Sequence, residues 1–105
     1  MKMNRNDYIL SQVKKRINRI DPNAKIILFG SRARNDFRSE SDWDFLILTN
    51  LNVSRDLKNK ISDTLFETEL ETQSVLTSIV QSIDAWNTYS NTPLFRNILK
   101  DGIEI

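Results

Sequence analysis

Two aspartates and one of the chain's two glycines lie in the short segment FGSRARNDFRSESDWDF, residues 29–45. Asp42 and Asp44 are separated by one residue, so on a strand their side chains share a face and lie roughly 7 Å apart. Without a cation, repulsion between two such carboxylates facing one site would raise the pKa of one of them and destabilise the strand. One or two divalent ions would instead make the pair a metal-binding site. The pair alone leaves open the alternative of an exposed Asp-x-Asp with no ligand.

Gly30 and Ser31 precede the aspartates, at the end of an apolar run. Glycine lets the backbone approach a bulky anion closely, and a helix that begins at this turn presents N–H groups to it. Ser31 adds a hydroxyl donor. Phosphates bound at the turn would lie between it and metal ions on Asp42 and Asp44, as phosphoryl or nucleotidyl transfer requires. Each motif alone is weak evidence for such a site, but the two motifs at this separation are a specific signal for it.

Hydrophobic periodicity predicts the elements that position this segment. Apolar residues at helical spacing predict a helix over Arg5–Ile20, and a β-branched run predicts a strand over Lys25–Phe29. Further along the chain the pattern predicts a helical turn at 31–36, a strand at Trp43–Thr49, a helix at 52–67 with Ser54 as its N-cap, a strand at 74–81, a short helix from an N-cap at Ser82 to Trp86, and a helix from Thr92 to Lys100. Gly102 is predicted to end that last helix as its C′ residue.

This order of elements predicts an α/β (α+β) fold, in which helices flank one small mixed sheet. The 105 residues fit a single domain spanning 1–105. On the strand Trp43–Thr49, the alternation places Asp44, Leu46 and Leu48 on one face and the aromatic residues on the other. Trp86 and Phe95 are interpreted as core residues of the closing helices.

Composition narrows the chemistry that the chain can perform. It contains no cysteine and no histidine, which excludes disulfides, a thiolate nucleophile, and imidazole as base or metal ligand. A metal would therefore be bound by oxygen ligands, which favours hard ions such as magnesium. No signal peptide or membrane-length apolar run is recognisable, so we expect a cytoplasmic protein without a membrane partner.

Charge is unevenly divided along the chain. Residues 1–38 carry a net charge of +7 and the remaining residues a net charge of −6. A basic half suggests an anionic partner, such as nucleic acid or nucleotide phosphates. The basic residues of the first helix are interpreted as solvating its exposed face, whereas Arg32 and Arg34 adjoin the turn at Gly30 and Ser31. We expect a nucleotide, and not nucleic acid, as the direct partner.

The segment GSRARNDFRSESDWDFLIL, residues 30–48, resembles the Gly-Ser-x-Ala-Arg-Gly … Ser-Asp-x-Asp signature of the polymerase β-type nucleotidyltransferase superfamily. The chain is most similar to the minimal nucleotidyltransferases, the MNT family, which share its length. The resemblance implies the polymerase β-like nucleotidyltransferase fold. It also implies transfer of a nucleoside monophosphate, AMP being expected, from ATP or another NTP to a hydroxyl group, with release of pyrophosphate.

The resemblance also implies roles for the residues that match the signature. Asp42 and Asp44 would hold two Mg²⁺ ions and take part in catalysis. Gly30 and Ser31 would bind the triphosphate, and the other nucleotide-binding candidates of the signature are Arg32, Arg34 and Ser41. Many proteins of this family are encoded beside a helical HEPN protein and act as antitoxins that transfer AMP to it, so we expect a separate helical partner of the HEPN type.

Two departures from the family pattern affect this interpretation. The family's second glycine is Asn35 here, a conservative change because asparagine tolerates left-handed backbone best among non-glycine residues. The family also places a third carboxylate on the next strand, and the predicted strand at 74–81 contains none. Glu69 and Glu71 are the local candidates to replace it, and we predict Glu71 because it is nearer the strand. A solvated acidic stretch is the alternative for both glutamates.

The sequence therefore supports three hypotheses. The first is a magnesium-dependent nucleotidyltransferase that modifies a partner protein. The second is a nucleotide- and partner-binding module of the same fold that is catalytically weak because the third carboxylate is missing. The third is an unrelated small α/β domain with a coincidental motif.

Overall fold

A four-stranded mixed sheet with helices on both faces organises the chain. The computed structural model describes residues 4–34, 42–89 and 91–105. Its strands are β1 (Lys25–Phe29), β2 (Trp43–Thr49), β3 (Leu76–Ser82) and β4 (Ile103–Glu104). Its helices are α1 (Arg5–Ile20), α2 (Ser31–Arg34), α3 (Arg55–Thr72), α4 (Ile83–Tyr89) and α5 (Pro93–Asp101).

The strands are arranged in the order β3-β2-β1-β4. β1 is antiparallel to both β2 and β4, whereas β2 and β3 are parallel and α3 forms their crossover. The predicted fold class, a small mixed sheet flanked by helices, is confirmed. In the described part of the chain, no helix has the length and apolar character needed to cross a membrane.

The two faces of β2 are buried under different helices. Trp43, Phe45 and Ile47 join a core cluster with α1 and α3. Leu46 and Leu48 join a second cluster on the opposite face, beneath α4 and α5. This is the alternation that the sequence predicted, and it places the side chain of Asp44 on the α4–α5 side of the sheet.

The predicted core residues of the closing helices are confirmed. Trp86 of α4 and Phe95 of α5 are buried, with ring centroids 4.6 Å apart. Aromatic pairs at this separation contribute about 0.5–1.5 kcal/mol beyond the burial of their surface. The pair therefore holds α4 and α5 together above the second face of the sheet.

Side-chain caps fix where two of the helices begin. The Ser54 hydroxyl accepts a hydrogen bond from the Leu57 N–H (3.1 Å), and the Ser82 hydroxyl accepts one from the Ala85 N–H (3.0 Å). Both caps were predicted. At its other end α3 continues to Thr72, beyond the predicted end at residue 67, because the buried stripe extends through Thr68.

Gly102 ends α5, as predicted, but in extended and not left-handed backbone, with φ −66° and ψ 141°. The reason for glycine here is space. A Cβ atom at this position would lie 2.6 Å from the carbonyl oxygen of Ile98 and 2.7 Å from Cγ2 of Ile27. This close approach lets the chain pass directly into β4, a two-residue strand too short for periodicity to predict.

Candidate active site

The turn after β1 lies directly against the first part of β2. Phe29, the last residue of β1, pairs with Asp44. Gly30 follows with φ +78°, and a Cβ atom there would lie 2.5 Å from Oδ2 of Asp44. Glycine is therefore required twice at this position, for the left-handed backbone and for the space that the carboxylate occupies. The structure brings together two of the sequence-predicted site residues, Gly30 and Asp44.

Asp42 and Asp44 form an acidic pair at the beginning of β2. Asp42 is exposed and Asp44 is partly buried. Burial, and then repulsion from the Asp42 carboxylate, raises the pKa of Asp44 above its ordinary value. Both causes disfavour two negative charges at this position, and a divalent cation would offset both. The donor set, one carboxylate directly before β2 and one on its second residue, suits a hard cation.

Ser31 begins the single turn of helix that follows Gly30. The N–H groups of Ala33 and Arg34 donate to the Gly30 carbonyl, at 3.1 and 3.2 Å, and close this turn. The Ser31 side chain is partly buried, and across the described ranges its hydroxyl makes no hydrogen bond to the protein. Its position, one residue after the glycine that contacts Asp44, is that of a donor beside the acidic pair.

The two candidate arginines of α2 have different surroundings. Arg32 is buried, and its guanidinium carbon lies 4.3 Å from the ring centroid of Trp43. Burial, and then the charge of Arg5, lowers the pKa of Arg32. Arg34 is more exposed, and its Nη1 lies 3.8 Å from Oδ2 of Asp101 at the end of α5. Arg32 is thus packed on the Trp43 face of the sheet, whereas Arg34 extends toward the α5 side, where Asp44 lies.

Two further positions from the sequence analysis, Ser41 and Asn35, lie outside the described residues. Their predicted roles stay predictions.

The two candidate glutamates belong to the last turns of α3. Glu71 accepts a hydrogen bond from the Tyr8 hydroxyl, and its Oε2 lies 2.9 Å from Nη2 of Arg16. Both partners belong to α1, which packs on the Trp43 face. Glu69 accepts a hydrogen bond from the Leu76 N–H (2.8 Å) at the beginning of β3. These contacts do not bring either glutamate to Asp44, and the catalytic role of Glu71 stays a prediction.

The strand register identifies a position that the sequence analysis missed. Asp44 pairs with Thr77 of β3, and paired residues of adjacent strands point to the same face. Thr77 therefore stands beside Asp44 where the family's third carboxylate would be expected. No group of three or more acidic, histidine or cysteine side chains forms a metal site in the described ranges. Periodicity alone could not have found Thr77, because it does not give the register between strands.

Comparison with known proteins agrees with this geometry. The family described as "Nucleotidyltransferase domain" matches residues 10–103, which include the turn at Gly30 and all four strands except the last residue of β4. A curated protein of Methanocaldococcus jannaschii, named "Putative protein adenylyltransferase", is 36% identical over 78 residues. The matched segment covers 74% of this chain and 73% of that relative.

We predict that Gly30→Ala destabilises the fold and displaces the Asp44 carboxylate. Left-handed backbone costs a residue with a Cβ atom about 1–2 kcal/mol, and the new atom would also overlap Oδ2 of Asp44. Urea unfolding measures the loss, and the carboxyl ¹³C resonance of Asp44 reports the displacement. Gly102→Ala is the matched control, since it crowds Ile98 and Ile27 and should leave that resonance unchanged. A Gly30→Ala protein with wild-type stability and an unmoved resonance would contradict the assignment.

Proposed function

Since the chain belongs to the nucleotidyltransferase domain family and is a nucleotidyltransferase, we propose that it transfers AMP from ATP to a hydroxyl group of a separate protein. The proposed acceptor is a helical protein of the HEPN type, for which this chain would act as the antitoxin. The observation that carries the proposal is the contact between the Gly30 turn and the Asp44 carboxylate. The name of the Methanocaldococcus relative, a protein adenylyltransferase, supports a protein as the acceptor.

We propose Asp42 and Asp44 as the ligands of Mg²⁺. The raised pKa of Asp44 and its repulsion from Asp42 are the expected properties of a carboxylate pair that a cation neutralises. When bound, magnesium would offset the negative charge of the triphosphate and of the group being transferred. The side chain of Asp44 faces the turn where the phosphates would lie, so the two carboxylates and the turn can act on the same ligand.

The turn itself would bind the triphosphate of ATP. Gly30 lacks a side chain that would block the approach of a phosphate, and the Ser31 hydroxyl is available as a donor. Arg34 is the better supported of the two arginines for phosphate binding, because its side chain is 45% exposed and its ion pair with Asp101 is long. Exposed pairs of this kind contribute about 0–1 kcal/mol, so a phosphate could replace Asp101. Arg32, stacked on Trp43, would position α2.

In the proposed reaction, an acceptor oxygen forms a bond to the α-phosphorus of ATP. The bond between that phosphorus and the bridging oxygen breaks, pyrophosphate leaves with its electron pair, and the acceptor hydroxyl loses a proton. The proton needs a base, and the chain has no histidine. The sequence-predicted base is Glu71, and water or a group of the acceptor protein are the remaining sources.

A second candidate function is favoured by Thr77. A hydroxyl group beside Asp44, where a third carboxylate would be expected, leaves fewer ligands for a second metal ion. The chain would then bind nucleotide and its partner protein but transfer AMP slowly. Both functions would use the same binding site, but they differ in the rate of AMP transfer. The transfer assay below therefore separates them.

We predict that ATP binds this protein tightly only with Mg²⁺, and that Asp42→Asn combined with Asp44→Asn abolishes the binding. The double substitution removes both negative charges that would hold the ion. Isothermal titration calorimetry with and without magnesium measures the effect. Asp63→Asn combined with Asp84→Asn is the control, since both residues are exposed on helices. Metal-independent binding that survives the Asp42 and Asp44 substitutions would refute the assigned site.

We predict a stable complex with a separate helical protein. The resemblance to the minimal nucleotidyltransferases and the name of the Methanocaldococcus relative support a separate protein as the acceptor. Affinity purification of the tagged chain from its native host, followed by mass spectrometry, should recover a protein of the HEPN type. Recovery of the chain alone, with no binding to the product of a neighbouring HEPN gene, would contradict the antitoxin proposal.

We predict that Thr77→Asp raises the rate of AMP transfer at least about tenfold, a small part of the about 10²–10⁴-fold that a well-placed base contributes. The new carboxylate would lie one strand spacing, about 4.8 Å, from Asp44. Single-turnover transfer of labelled AMP to the partner measures the rate, and Thr77→Asn is the neutral control.

Glu71→Gln tests in the same assay whether Glu71 is the base. A large loss of transfer by a folded Glu71→Gln protein would make Glu71 the base, and an unchanged rate would remove it from the mechanism.

A further inference from the structure

β3 leaves one side of the sheet without a neighbouring strand. In the order β3-β2-β1-β4, it pairs only with β2 among the residues described. Its seven residues include no charged residue and no proline. Natural edge strands are commonly protected by lysine, proline or a bulge, and an unprotected edge is a template for another strand. The open side of β3 therefore presents backbone N–H and C=O groups to which another strand could pair.

Exposed apolar side chains stand beside this edge. Phe66 and Leu70 of α3 are 55% and 66% exposed, and Val75, directly before β3, is 54% exposed. Phe66 borders a groove of about 290 Å³ between α3 and the first residues of β3. The edge of the sheet thus carries both a protruding aromatic ring and, next to it, a groove that a second ring could enter.

The side of α3 that lines this groove is basic at one end and acidic at the other. Ser62, Phe66 and Glu69 line the groove, and Lys58 lies one helical turn before Ser62 on the same side. The helix macrodipole favours acidic residues near the first turn and basic residues near the last. Asp56 meets the first preference, but the last turn of α3 has no basic residue. Glu69 accepts one hydrogen bond from the Leu76 N–H, through Oε1.

We propose that a second copy of this chain covers the edge, with the two β3 strands antiparallel about a twofold axis. α3 turns back into β3 through residues 73–75, so the two α3 helices would also run antiparallel, on the same side of one continuous sheet. Lys58 of each copy then meets Glu69 of the other, and each Phe66 packs into the opposite groove. Along the helix axis, the midpoint between Lys58 and Glu69 nearly coincides with the midpoint between Ser62 and Phe66. One twofold axis near that point therefore brings Lys58 opposite Glu69 of the other copy and Phe66 opposite Ser62, which lines the groove of the other copy.

The charges and the apolar groups of this surface are self-complementary in the antiparallel arrangement alone. A parallel arrangement would place Lys58 beside Lys58 and Glu69 beside Glu69. In a twofold-symmetric interface each favourable contact occurs twice, which increases the effect of every substitution. The proposed assembly places the Asp44 faces of both copies on the same side of the sheet. Glu69 and Thr77 belong to the proposed interface, whereas Gly30, Ser31, Asp42 and Asp44 form none of its contacts.

Sedimentation of the full-length chain over a range of concentrations tests the proposal. We expect a dimer whose dissociation constant rises at least about tenfold, equivalent to about 1.4 kcal/mol, with Phe66→Arg. Leu94→Arg is the matched control, because Leu94 is 56% exposed but lies on α5, away from β3. Amide hydrogen exchange should slow in β3 as the protein concentration increases, which locates the interface at this strand.

A charge exchange tests the antiparallel register. Lys58→Glu should weaken the dimer, and adding Glu69→Lys in the same chain should restore it. The two residues are about 16 Å apart along the helix axis, so a rescue reports a contact between copies. Circular dichroism confirms that each variant is folded.

Three results would overturn the proposal. The first is a chain that stays monomeric at every concentration, which includes the case where a different protein covers the edge. The second is a dimer that Phe66→Arg does not weaken and whose β3 amides exchange as in the monomer. The third is a Lys58→Glu dimer that Glu69→Lys fails to restore, although Glu69→Lys alone, which also removes the bond from the Leu76 N–H, leaves the β3 amides exchanging as in the wild-type monomer.

Discussion

The contact between the Gly30 backbone and the Asp44 carboxylate is the constraint on which the site depends. Antiparallel pairing of Phe29 with Asp44 brings the end of β1 to the beginning of β2. A side chain at Gly30 would occupy the space of the carboxylate. A turn that can bind an anion and an acidic residue that can bind a cation are thereby held in contact. A nucleotide with its metal ion combines these two charges in one ligand, which is why this geometry suits nucleotidyl transfer.

The rigidity of this contact comes from the opposite face of the same strand. Trp43 precedes Asp44 and points into the core formed with α1 and α3. The Arg32 guanidinium packs over the Trp43 ring, and a buried contact of this kind is worth about 0.5–2 kcal/mol. One strand therefore anchors α2 through its apolar face and presents an acidic residue on the other. Burial of the Trp43 side chain therefore fixes the position of the Asp44 carboxylate on the opposite face.

The chain has no histidine to act as a base, and the structure shows the contacts of its two candidate glutamates. Glu71 bonds with Tyr8 and Arg16 and joins α3 to α1, while Glu69 holds the start of β3. Both contacts stabilise the layer opposite Asp44. Thr77, the neighbour of Asp44 on β3, offers a hydroxyl group in place of a carboxylate. The proposed transfer would thus depend on the acceptor protein more than it would in an enzyme that carries its own base.

The sequence by itself determined the helices, the three longer strands and the burial of each face of β2. Local rules suffice there, because periodicity reports which side is buried, and a serine before an apolar stripe reports a cap. It also identified Gly30 and Asp44, whose spacing within one segment is a local feature. The tertiary structure alone decided that Thr77 stands beside Asp44, that Glu69 and Glu71 lie on α3, and that β4 completes the sheet. These depend on strand register and helix packing, which arise from contacts between residues distant in sequence and leave no local pattern.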